Sequence, residues 1–159
     1  MDLSGKIALV TGASRGIGEA LAIGLADHGT DVIICDLESE SKGLANTHKQ
    51  IERTGRKCWS YFLDVTKKSQ IQKMVSDILN DIGSIDILVN NAGILTPTSL
   101  EDIDEETWDS HFEVNTKGVL LMCQSVLPHM REKKTGRIIN IASIAGRQGS
   151  PTQGHYAST

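Results

Sequence analysis

Residues 11–18 read TGASRGIG, directly after an apolar run of strand length and at the opening of a stretch with helical apolar spacing. Gly12, Gly16 and Gly18 allow a tight turn that brings backbone N–H groups and a helix N-terminus close to an anion. The chemistry this suits is pyrophosphate binding. The spacing T-G-x-x-x-G-x-G differs from G-x-G-x-x-G, and the Lys-Ser/Thr pair of a P-loop is missing, so NTP hydrolysis is disfavoured. Asp36 lies 18 residues past Gly18, at the end of the next apolar run. A carboxylate there accepts hydrogen bonds from a ribose 2′-hydroxyl and repels a 2′-phosphate, which predicts NAD rather than NADP.

Further along, Asp64-Val65 closes a third apolar run, and Asn90-Asn91-Ala92-Gly93 follows IDILV. Asn115 stands in EVNTKG inside a long helical stretch, where asparagine is a mediocre helix former. Ser143 stands in NIASIAG, and Tyr156 follows 13 residues later in HYAST. A serine after a strand or a tyrosine in a loop says little alone. In this order, however, the motifs resemble the short-chain dehydrogenase/reductase family. The resemblance implies cofactor contacts from Gly12, Ser14, Arg15, Gly16, Ile17, Gly18, Asp36, Asp64, Val65, Asn91, Gly93 and Tyr156. It also implies that Tyr156 is the acid/base, that Ser143 orients the substrate oxygen, and that Asn115 supports a water-linked proton relay through a local break in its helix. Arg15 is the opposing sign for the cofactor, since family members using NADP often carry a basic residue there. Repulsion by Asp36 is direct whereas an arginine in a loop can swing into solvent, so NAD remains the expectation and NADP the lesser one.

These residues need elements to position them. Lys6–Thr11, Asp31–Asp36, Trp59–Asp64, Ile85–Asn90 and Arg137–Ser143 read as strands, several of them apolar on both faces as covered parallel strands must be. Between them, Ile71, Met74, Val75, Ile78, Leu79 and Ile82 draw one apolar stripe, and Ile17, Leu21, Gly24, Leu25 and His28 draw another. Trp108, Phe112, Val119, Met122, Val126 and Met130 mark a long helix, opened by acidic residues 104–106 and stopped at Gly136. Strand-helix alternation predicts an α/β fold, a Rossmann-type doubly wound parallel sheet with helices on both faces. A complete two-half dinucleotide fold has about six strands, so the expectation is one domain over residues 1–159, cut short after its fifth strand.

Composition sets the remaining bounds. The 159 residues suffice for one domain, and a net charge of -4 is unfavourable for broad contact with phosphate backbones, so nucleic acid is not an expected partner. Cys35, Cys58 and Cys123 read as small reduced core residues. The N-terminal stretch lacks the apolar run of a signal peptide or membrane span, giving cytoplasm as the default location and no membrane partner. His28, His48, His111 and His129 are scattered and suggest no metal site, while His155 reads as a variable loop residue.

The resemblance implies reversible hydride transfer between a nicotinamide and a carbonyl or secondary alcohol, on a sugar-derived, acyl or alicyclic skeleton, with 3-oxoacyl thioester reduction one candidate. Its visible walls would be Ile94–Pro97 and Ile144–Gly154, and a homo-oligomer is expected of the full-length form. A free tyrosine has a pKa of about 10, so a base near neutrality needs positive charge beside it. In the family a lysine four residues past the tyrosine supplies part of that charge, one position beyond Thr159. Two readings stay open: an oxidoreductase of which these residues are roughly the first two thirds, inactive without that lysine, or a non-catalytic NAD-binding fragment. A nucleotide-fold methyltransferase also fits the alternation but leaves NNAG, Ser143 and Tyr156 without a purpose.

Overall fold

A computed structural model describes residues 3–159. In chain order its main elements are β1 (Ile7–Thr11), α1 (Gly16–Asp27), β2 (Asp31–Asp36), α2 (Ser41–Arg53), β3 (Cys58–Phe62), α3 (Lys68–Asp81) and β4 (Ile87–Asn90). There follow α4 (Glu105–His111), a π-helical turn (Phe112–Lys117), α5 (Gly118–Glu132), β5 (Arg137–Asn140), α6 (Ala145–Gln148) and α7 (Gly154–Ala157). The strands form one parallel sheet in the order β3-β2-β1-β4-β5, so the chain winds outward first to one side of β1 and then to the other.

Side chains alternate across this sheet. Leu9, Ile33 and Leu88 face a core completed by Ile71, Ile78, Met122 and Val126 from α3 and α5. Val10, Val32, Ile34 and Val89 face the other way, onto Ala22, Ala26, Leu44 and Ile51 from α1 and α2. Burial on both faces explains the unbroken apolar runs of β1, β2 and β4.

Several sequence expectations need correction. The third strand ends at Phe62, the fourth begins at Ile87 and the fifth ends at Asn140, which leaves Asp64, Val65 and Ser143 in loops beyond the strand ends. The apolar stripe read on α1 is not its buried face: Ile17 is 64% exposed, whereas Gly18, Ala22 and Ala26 are buried. Small residues four apart let the helix lie close on the sheet, and Leu21 and Leu25 pack only at its flank. The long helix is two helices joined by the π turn, opened by Asp104, whose carboxyl accepts the Thr107 N–H at 2.7 Å. Hydrogen bonds from Thr107 hold that carboxyl below the ordinary carboxylate range.

The end of α5 also differs. Lys134 (φ 52°) takes the left-handed position, with Thr135 N–H bonded to Met130 O and Lys134 N–H to Arg131 O, both at 3.1 Å. Gly136 is needed instead for close approach, since a Cβ there would lie 2.5 Å from the Met130 sulfur.

At the carboxyl ends of β1 and β4 the chain is knotted together. Thr11 is buried, and its hydroxyl oxygen accepts N–H bonds from Asn91 and Ala92, each at 3.0 Å. In return the Asn91 side-chain amide donates to Thr11 O at 3.1 Å and Gly12 O at 3.0 Å. Gly12 has φ +66°, and a Cβ on it would lie 2.8 Å from Ala92 Cα; a Cβ on Gly18 would overlap the Gly12 carbonyl. Thr11→Val keeps the shape and removes the acceptor of two N–H groups, so it should lower stability by about 2 kcal/mol in urea unfolding, with Thr11→Ser far milder. A valine variant as stable as the parent would show that this hydroxyl does not hold the loop.

Candidate functional site

Two adjoining clefts open at the carboxyl ends of the strands, where open α/β sheets bind ligands. The first, about 400 Å³, runs from the glycine loop past Asp36 to Asp64 and Val65. The second, about 570 Å³, holds Asn115, Ser143 and Tyr156. Both are lined by Ile17, Asn91, Ala92, Gly93 and Ile94, so one wall is common to them. Every catalytic or cofactor residue expected at the site except Gly18 borders one cleft or the other, Gly18 being buried beneath the loop that it allows to close; of the expected walls Ile94–Pro97 and Ile144–Gly154, only Ile94, Leu95 and Gly146 do so.

In the first cleft the glycine loop passes into the first turn of α1, whose N–H groups have no earlier helical turn to bond to. The Asp36 carboxylate is held at the rim by the Ser14 and Leu37 N–H groups, each at 2.9 Å. A carboxylate has about four acceptor positions, so capacity remains for a hydroxyl donor. Asp64 turns its own carboxylate onto Thr66, accepting the N–H at 2.9 Å and the hydroxyl at 2.7 Å, while Val65 packs beneath it against Gly118. Cys35 also borders this cleft; burial, with the Asp36 charge adding to it, pushes its thiol up, and Sγ donates to Val10 O at 3.6 Å. It stays a protonated thiol rather than a nucleophile. All three cysteines are free.

Sequence reasoning missed Glu40. It lies in a short 3₁₀ turn after β2, and its Oε2 accepts from Arg15 Nη1 at 2.6 Å. Arg15 thus pairs with a second carboxylate on the rim of the first cleft while its side chain stays 76% exposed. An acidic Glu-Ser-Glu run was visible, but nothing local said which member would face Arg15.

In the second cleft, the Asn115 side chain is engaged at both ends. Its Oδ1 accepts the Ile94 N–H at 2.8 Å, and its Nδ2 donates to Ile94 O at 3.0 Å and to Thr159 Oγ1 at 3.1 Å. It sits in the π turn, which is the helix break expected around it. Ser143 Oγ accepts the Ala145 N–H at 3.2 Å, which leaves its proton to point elsewhere. Tyr156, half-buried on α7, borders the same cleft. His155, expected in a loop, is instead fully buried in the first turn of α7 and donates from Nε2 to Thr96 O at 3.0 Å.

No helix among the described residues is long and apolar enough to cross a membrane. A family model described as short chain dehydrogenase matches residues 6–159. Among curated relatives, the 3-oxoacyl-(acyl-carrier-protein) reductase FabG of Thermotoga maritima is 40% identical over all 159 residues, and the chain spans 64% of its length. FabG of Staphylococcus epidermidis is 38% identical over 154 residues, 97% of this chain and 63% of the relative. Two solved structures superpose closely. A putative short-chain alcohol dehydrogenase from Sinorhizobium meliloti does so with TM-score 0.93 at 37% identity, over 99% of this chain and 62% of the other. An NAD+-bound xylitol dehydrogenase does so with TM-score 0.94 at 31% identity, over 99% and 60%. With its parallel sheet, its glycine loop and a family match over nearly its whole length, the chain belongs to the short-chain dehydrogenase family.

Proposed function

We propose that the protein is an NAD-dependent oxidoreductase that interconverts a carbonyl compound and a secondary alcohol. The observation that carries this reading is the wall shared by the two clefts: a dinucleotide lying along Ile17 and Asn91–Ile94 would reach from Asp36 to the hydroxyls of Ser143 and Tyr156. The residues fit such a ligand. A Cβ at Gly12 would clash with the Ala92 backbone and one at Gly18 with the Gly12 carbonyl, so these glycines let the loop close tightly, and the opening of α1 would offer its N–H groups to a pyrophosphate.

The nicotinamide supplies the site for hydride gain or loss when bound; the protein supplies everything around it. Asp36, already oriented by Ser14 and Leu37, accepts a hydrogen bond from the ribose 2′-hydroxyl and repels a phosphate in its place. Glu40 adds a second negative charge and occupies Arg15, the nearby cation that would otherwise favour NADP. Ser143 donates to the substrate oxygen as charge develops on it, and Tyr156 gives or takes its proton. A base at Tyr156 needs a neighbouring cation, and a lysine four residues past it, as the resemblance implies, would supply one. Asn115 fixes Ile94 and Thr159 through its side chain, which leaves the main chain of the π turn as the route for a water-linked relay. One relative is named for 3-oxoacyl-(acyl-carrier-protein) and one structural neighbour for xylitol, which makes acyl and polyol compounds the two substrate classes to try first.

Titration of both cofactors should show NAD binding at least about tenfold tighter than NADP, and Glu40→Gln should improve NADP binding about three- to fivefold by releasing Arg15. Tighter binding of NADP by the parent would mean that Arg15 outweighs the two carboxylates. In the full-length protein, Tyr156→Phe should lower turnover of NAD with secondary alcohols at least about a hundredfold and leave NAD affinity nearly unchanged. Near-normal turnover in this variant would remove Tyr156 from the chemistry.

A further inference from the structure

Two histidines that the mechanism does not use enclose one residue, Thr96, next to the cleft wall. His111, the last residue of α4, and His155, in α7, are 1% and 0% exposed. Their rings meet edge to face, with centroids 4.3 Å apart and planes at 85°. Thr96 lies between them: its N–H donates to His111 Nε2 at 3.2 Å, and its carbonyl accepts from His155 Nε2 at 3.0 Å.

The partners fix the protons. His111 Nδ1 faces the Thr107 carbonyl at 2.7 Å, and a carbonyl only accepts, so Nδ1 carries the hydrogen and Nε2 is the bare acceptor that Thr96 N–H requires. His155 is the opposite tautomer, with its hydrogen on Nε2. Its Nδ1 is buried without a hydrogen-bond partner. A second proton on His111 would set two hydrogens against each other at Thr96, and one on His155 Nδ1 would have no acceptor.

Thr96 belongs to a strip fixed at alternate residues. Ile94 is bonded through both backbone groups to Asn115, Thr96 to the two histidines, and Thr98 through its N–H to Thr152 O at 2.9 Å. Ile94 and Leu95 border the second cleft, and His155 immediately precedes Tyr156.

We propose that His111 and His155, as a pair of neutral opposite tautomers, are positioning residues that tie the Ile94–Leu95 wall to the helix carrying Tyr156 and so set the width of the substrate cleft. The functional part of this proposal rests on Tyr156 acting in an oxidoreductase; the geometric part does not. The test uses the full-length protein. Long-range proton-nitrogen NMR should show His111 protonated only on Nδ1 and His155 only on Nε2, with the Thr96 amide slow to exchange. His155→Gln keeps an N–H donor for Thr96 O, and His155→Leu removes it. The leucine variant should speed Thr96 exchange and lower kcat at least about tenfold with NAD affinity unchanged, while the glutamine variant stays within about threefold of the parent in both.

Reversed tautomers, or fast exchange at Thr96 in the parent, would overturn the clamp. A glutamine variant as impaired as the leucine one, or a leucine variant with parental turnover, would overturn its positioning role. Should the parent show no turnover, the oxidoreductase reading fails, and the tautomers and exchange rates still decide the clamp.

Discussion

Residue 18 can have no side chain because the Gly12 carbonyl stands where its Cβ would go, and that contact governs how the first helix meets the sheet. It lets the start of α1 lie against the end of β1, with the Asn91 amide donating to the carbonyls of Thr11 and Gly12. The buried Thr11 hydroxyl returns the connection to β4 by accepting from Asn91 and Ala92. Each of these polar groups is satisfied by another, so the crossing is rigid without apolar bulk. The glycine loop, the helix N-terminus and the wall at residues 91–94 are therefore placed relative to one another before any ligand arrives.

That arrangement separates two tasks along one surface. On the Asp36 side the cleft is electrostatic: carboxylates at Asp36 and Glu40, Arg15 drawn to the second of them, and backbone N–H groups at the opening of α1. On the Tyr156 side it is a matter of placement, with Asn115 gripping Ile94 and Thr159, and two buried histidines gripping Thr96. Side chains from the π turn, α4 and α7 thus bond to the backbone of the loop after β4. Such loops are mobile by default, and fixing alternate residues is how this one becomes a wall.

The glycine loop and NNAG were legible because their backbone turns admit few residue types, whereas Ser143 and Tyr156 stood out only through the resemblance, and it is the fold that brings them to one cleft. The parallel sheet was legible from apolar runs that need cover on both faces. The buried face of α1 was not, since hydrophobic size points to Ile17 and Leu21, whereas close packing selects Gly18, Ala22 and Ala26. The end of α5 misled for a related reason: Gly136 yields to Met130, and Lys134 takes the left-handed turn usually given to glycine. Glu40 and His155 carry no local signal, because what matters about them is the partner across the fold: Arg15 for one, Thr96 and His111 for the other. Strand ends were over-extended where apolar residues continue past the last ladder pair into the site loops, as at Leu63 and Ile141.

An NAD-dependent reaction at this site requires one extended ligand to occupy both clefts. A crystal structure of the protein with NAD bound measures this directly. The expected result is the adenosine ribose on Asp36, the pyrophosphate on the opening of α1, and the nicotinamide past Ile17 and Asn91–Ile94, facing Tyr156. A dinucleotide bound in the reverse direction, or outside the shared wall, would contradict it.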